Sequence, residues 1–209
     1  MFENFGLILF FGTAIIGAFM IFGFKKSSRD NSQRKESFWD RERRANVSRR
    51  KDISSLNYIS IPLNQLPFID TDDDEILEYH KSINRLATMK ILNLTGITNT
   101  ELKEQYGVAN LTELTDYDNN YTTLVNTIAR WGARLIELDY IDEAITILEY
   151  GLSVGTDVSR NYLLLADIYR TRGEYDRIDA LITRATALKS LMKNSILTKL
   201  NEIRESITG

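Results

Sequence analysis

Three groups of residues have types and spacings that could support metal or acid–base chemistry. Thr71-Asp72-Asp73-Asp74-Glu75 places four carboxylates in a row, Asp116, Asp118 and Asn120 have the 1-3-5 spacing of a calcium loop, and His80 is the single histidine. An apolar stripe of Ile76, Tyr79, Ile83, Leu86 and Ile91 follows the acidic row at helical spacing. The acids therefore read as a helix start, where carboxylates accept from free backbone N–H groups and face the positive end of the dipole. A calcium loop needs glycine at its sixth position and a bidentate glutamate at its twelfth, and those positions hold Tyr121 and Thr127. His80 has no second histidine and no cysteine to work with. There is no glycine-rich phosphate loop, and no spacing pairs a nucleophile with a base. The expectation is a chain with no catalytic, cofactor-binding or metal-ligating residues, carboxylate chemistry being the least favoured reading.

The elements around these residues begin with Phe5 to Phe24, twenty residues without a charge. At 1.5 Å rise per residue such a run spans a hydrocarbon core of roughly 30 Å. Glu3 stands where a signal peptide carries its positive charges, and Ile21-Phe22-Gly23-Phe24-Lys25-Lys26 offers no small-x-small cleavage site. A retained single-pass anchor over 1–24 is expected. No Lys or Arg precedes Phe5, whereas Lys25 to Lys51 hold eleven against four acids. That asymmetry predicts a cell-membrane location with the N-terminus outside and the C-terminal domain cytoplasmic. Thr13/Gly17 and Ala14/Ala18 are small-xxx-small pairs that suit a weak homodimer of anchors.

Net charge is −1 over 1–24, +7 over 25–51 and −9 over 52–209. An acidic domain disfavours nucleic acid, while a basic segment beside an anchor suits anionic lipid headgroups. Lys25, Lys26, Arg41, Arg43, Arg44, Arg49 and Arg50 are the candidate headgroup contacts. A short helix starting at Ser37 and reaching about Lys51 is predicted within this basic linker (25–56), with Phe38 and Trp39 at headgroup depth. Both prolines fall in 57–70, where Ile59, Ile61, Leu63, Leu66 and Phe68 are too apolar for a bare tether. This segment is expected as an extended strap on the helical domain, 71–209, with its sharpest role self-occupation of that domain's groove.

The C-terminal third superposes on itself at a period of 34. Trp131-Gly132, Leu135, Asp139 to Ala144, Leu148 and Gly151 are answered by Leu165-Ala166, Tyr169, Gly173 to Ile178, Ile182 and Ala185. The pattern resembles the tetratricopeptide repeat, in which small residues let two antiparallel helices approach and large ones fill the interior. The units would run 125–158 and 159–191, with a cap helix over 194–207 and helices at 72–94 and 98–106 completing the stack. The family's terminal proline is replaced by Thr156 and Ser190, and Ile178 stands where alanine is expected. The fold class is therefore all-α, with tetratricopeptide-like hairpins behind a transmembrane helix.

The resemblance implies a protein or peptide partner on the face lined by the first helix of each unit. Carried over position by position, that face comprises Asn126, Ala129, Ala133 and Ile136, then Arg160, Leu163, Asp167 and Arg170. Ala129 and Ala133 replace the Lys and Asn of the carboxylate clamp, so the clamp is absent. Two arginines among apolar residues suit an acidic or apolar extended segment. The implied function is a membrane-anchored cytoplasmic scaffold or adaptor, the alternative being a receptor for precursor proteins at a membrane surface.

Overall fold

The computed structural model describes residues 37–208. The expected anchor, Lys25 and Lys26 lie outside them, and no helix among the described residues is long and apolar enough to cross a membrane. The described residues are helical with no strand, as the period near 3.6 predicts. They fall into two compact units. One joins the chain up to Lys51 to Asn99–Ala109, and the other combines Asp52–Thr98 with the chain from Asn110 onward.

The smaller unit pairs α1, over residues 37–46, with α3, Asn99–Tyr106. Helix α1 ends before the expected Lys51, because the following backbone bonds sideways. Ser48 Oγ donates within 2.6 Å of the carbonyls of Ala45 and Lys103, and the Lys51 N–H donates to Tyr106 O at 3.0 Å. Gly107 closes α3 in the left-handed region, at φ +90°.

In the larger unit α2 spans Asp74–Leu86, with the Asp73 carboxylate accepting from the Ile76 N–H. Arg134 donates to the same carboxylate at 2.6 Å, and these bonds hold Asp73 well below the usual carboxylate range. The acidic row is a helix cap tied to α4, as its position before the stripe predicts. Helix α2 stops eight residues short of the expected 94. Ile91 O accepts from Ile59 N–H at 2.9 Å and Leu92 N–H donates to Tyr117 O at 3.2 Å, so residues near 91 spend their backbone groups on neighbours rather than on a helix.

Helix α4 runs from Leu111 to Glu137, so it begins 14 residues ahead of the repeat boundary expected at Val125 and close to Asp116, where the sequence reads as the start of a long helix. Asp116, Asp118 and Asn120 therefore lie inside it. Asp118 Oδ1 accepts from Leu94 N–H at 3.0 Å and Asn120 Nδ2 donates to Lys90 O at 3.0 Å. Helices α5 (Ile141–Ser153), α6 (Ser159–Arg172), α7 (Tyr175–Thr186) and α8 (Lys193–Thr208) follow. Each packs on its predecessor, and α4 also packs on α6 and α6 on α8.

The turns of the two hairpins match at the 34-residue spacing. Asp139 (φ 64°) and Gly173 (φ 70°) both sit in the left-handed region. Tyr140 N–H donates to Leu135 O and Glu174 N–H to Tyr169 O, each at 2.8 Å, the six-to-one bond of a Schellman cap. Gly132 and Gly151 allow the close approaches: a Cβ on Gly132 would lie 2.6 Å from Leu148 Cγ, and one on Gly151 would lie 2.9 Å from Ile128 Cγ2. Ile196 and Leu200 of α8 are fully buried and close the core.

Phe68, His80 and Trp131 form an aromatic cluster, with ring centroids 4.8 to 5.5 Å apart. His80 Nε2 and Trp131 Nε1 are buried without hydrogen-bond partners among the described residues. Burial lowers the His80 pKa from 6.5, so the unfolded chain binds this proton more readily than the folded one. Stability is full above about pH 6.5 and should fall as pH drops below it. Because His80 is the sole histidine, the slope of the unfolding midpoint between about pH 6.5 and 5 should vanish in His80→Gln. An unchanged slope in that variant would remove His80 as its source.

Candidate partner-binding face

The side-by-side packing of α4 and α6 brings the two predicted rows of residues together. Asn126, Arg160, Asp167 and Arg170 are exposed, Ile136 and Leu163 are half-buried, and Ala129 and Ala133 are buried. Around α4, residues 128 and 132 approach α5, while Trp131 and Arg134 meet His80 and Asp73 at α2. Ala129 and Ala133 are thus packing residues. What remains open along α4 is a polar stripe of Asn119, Thr123, Asn126, Arg130 and Glu137, at i, i+3, i+4 and i+7 steps.

Arg130 and Leu164 belong to this face and were absent from the sequence-derived set. Arg130 and Arg160 make no ion pair among the described residues, whereas Arg170 pairs with Asp167 at 3.0 Å. Tyr79 of α2 lies within the field of both Arg130 and Arg160. Its hydroxyl, 3.1 Å from Glu75 Oε2, has its pKa raised chiefly by burial, and the fields of Arg130 and Arg160 both oppose that rise. Leu163 and Leu164 are half-buried on the adjoining α6 surface. Exposure around the helix, rather than position within a repeat, is the signal that finds Arg130. It needs the identities of the neighbouring helices.

The strap does not lie where self-occupation requires. It is extended apart from one 3-10 turn at Leu63–Gln65. Tyr58 stacks edge-on against Tyr117, and Ile59 bonds to Ile91. Residues 57–65 border a cleft shared with Tyr150, Val154 and Gly155 at the end of α5, and Phe68 rests on His80 and Trp131. Trp131 is about 200° around α4 from both Ala129 and Ala133, at 100° per residue. Phe68 therefore meets the side of α4 opposite Ala129 and Ala133, about a third of a turn from the open stripe.

In the smaller unit, the candidate headgroup residues divide. Arg41 binds Glu104 through Nε (2.9 Å) and Nη2 (2.6 Å), and Arg43 pairs with Asp40. Glu42 is held below its ordinary range by hydrogen bonds from Lys103 and Thr100. Arg44 and Arg49 are exposed with no ion pair among the described residues, and Arg50 is exposed but engaged elsewhere in the chain. No family model, curated protein or solved structure significantly matches this chain.

Proposed function

We propose that this chain is a membrane-anchored scaffold or adaptor, with a tetratricopeptide-like domain in the cytoplasm that holds an extended, acidic segment of a partner protein across α4 and α6. The observation that carries the reading is the pair Arg130 and Arg160, exposed on adjoining helices without ion-pair partners among the described residues, beside half-buried Leu163 and Leu164. Guanidinium groups give charge-assisted, bidentate recognition of carboxylates, and the leucines add apolar contact without a deep pocket. The same charges disfavour a precursor receptor for organelle targeting, since transit peptides are themselves rich in arginine. The anchor rests on the apolar run 5–24 and the basic residues after it.

A photo-crosslinking side chain at Asn126 should capture a discrete partner in intact cells, whereas one at exposed Thr183 of α7 should not. Arg130→Glu with Arg160→Glu should weaken capture by about tenfold or more per arginine, the scale of a charged hydrogen bond. Equal capture from the two positions, or capture indifferent to charge reversal, would remove this face as the binding surface.

A further inference from the structure

The outward side of α1 has a composition that water does not favour. Ala45 is buried, and Arg41 and Glu42 reach α3 through Glu104, Thr100 and Lys103, which fixes the inward side. Trp39 and Arg43 recur at i and i+4 on the other side and Val47 follows in the turn that ends the helix, with Trp39 58% and Val47 81% exposed. Phe38 is 53% exposed and packs edge-to-face on Trp39 at 5.4 Å. A lone exposed apolar residue needs no explanation, but an exposed Trp39 with Phe38 packed on it from the rim of the inward side, and an exposed Val47 two turns on, do.

The acids that would repel a polyanion here are neutralised within the unit: Asp40 by Arg43, Glu42 by Lys103 and Glu104 by Arg41. Arg44 and Arg49 make no ion pair among the described residues, although the field of Arg44 reaches Glu104. Residues 37–51 hold six Lys and Arg against two acids. The twenty-residue apolar run ends at Phe24, thirteen residues before Ser37, which is at most about 45 Å of extended chain.

We infer that this edge, Phe38, Trp39 and Val47 flanked by Arg44 and Arg49, docks flat on an anionic lipid surface. Indole and phenyl rings sit at headgroup depth with an apolar body inward, and guanidinium groups meet lipid phosphates. The smaller unit would then lie on the bilayer rather than hang from a free tether. The inference rests on the proposed membrane location in one respect, that a bilayer is nearby. It adds a second, charge-dependent attachment, the pairing of signals that stable peripheral binding needs.

The test uses the full chain reconstituted with vesicles of zwitterionic lipid, and separately with vesicles containing phosphatidylglycerol. Trp131 is fully buried, so the emission difference between the parent and Trp39→Phe isolates Trp39. With anionic vesicles that emission should shift to the blue and be quenched by brominated acyl chains, and added salt should reverse both. Arg44→Gln with Arg49→Gln should weaken the response about thirtyfold, roughly fivefold per charge. If the chain floats with both vesicle types while Trp39 stays unchanged, the anchor stands and the docking edge falls. Flotation with anionic vesicles alone supports the edge and overturns the anchor. Flotation with neither, or a Trp39 response to duplex DNA instead of lipid, overturns the edge.

Discussion

Trp131→Ala should lower unfolding free energy by about 3–5 kcal/mol, while Trp39→Ala should change it by no more than about 0.5 kcal/mol. The two indoles have the same chemistry and opposite surroundings. Trp131 is 0% exposed, on the α5-facing and α2-facing side of α4, and carries Phe68 and His80 on its ring. Its truncation would empty a volume bordered by the strap, α2 and α4 together, and a core packed at crystal density relaxes only partly around such a void. Against a total of roughly 5–15 kcal/mol for a domain, that is a large fraction. Denaturant midpoints read from the helical far-UV signal, with the slope unchanged, measure it. A Trp131→Ala cost below about 1 kcal/mol would mean that the aromatic cluster is not a core.

The same residue shows what the sequence makes legible. Trp131-Gly132 and Leu165-Ala166 occupy equivalent places 34 residues apart, and that periodicity leads directly to two hairpins of matching turn geometry. Even the cap at Asp139, strained for a residue with a Cβ, is matched by Gly173 at the same offset. The acidic row before an apolar stripe also placed the start of α2 within 71–75, and a last stripe placed a helix over 194–207, close to α8. Local chemistry writes these signals: small residues where backbones touch, carboxylates at helix starts, and a left-handed residue at helix ends.

What was not legible depends on partners far away in sequence. Ile91 looks like the last member of a helical stripe, and it is fully buried, but it lies in an extended segment whose backbone bonds to the strap and whose neighbour Leu92 bonds to α4. Burial and helicity are separable, and periodicity reports only the first. The candidate face was rotated for a similar reason. Ala129 and Ala133 match groove positions, yet a small side chain on a repeat helix is equally suited to helix packing, and burial shows that it serves packing here. Arg130, one residue along, lies on the open side. Counting positions in a repeat cannot choose between adjacent residues when α2, which lies outside the repeat, takes one side of α4.

Gly107→Ala should unfasten α3 from the chain that follows α1, with a cost of about 3 kcal/mol or more in the smaller unit, the sum of a backbone strain and two lost hydrogen bonds. Gly107 is buried at φ +90°, and a Cβ there would sit 2.1 Å from the Arg49 carbonyl oxygen and 2.8 Å from Arg50 Cα. Left-handed backbone alone costs an alanine roughly 1–2 kcal/mol. The clash is with backbone, so it is relieved only by separating residues 48–51 from α3. That loses the Lys51 N–H to Tyr106 O bond and the Val108 N–H to Ser48 Oγ bond, each worth about 1 kcal/mol. Gly173 supplies the control, because it has φ +70° and nothing within 4 Å of the place a Cβ would take, so its alanine variant bears the conformational cost alone. Trypsin cleavage after Arg49, Arg50 and Lys51 should therefore accelerate strongly in Gly107→Ala and stay at the parent rate in Gly173→Ala. Equal rates in both variants would show that the close approach of Gly107 to Arg49 does not hold this unit together. A selective rise would show that the segment bearing Arg49 is held against α3 by one missing methyl group.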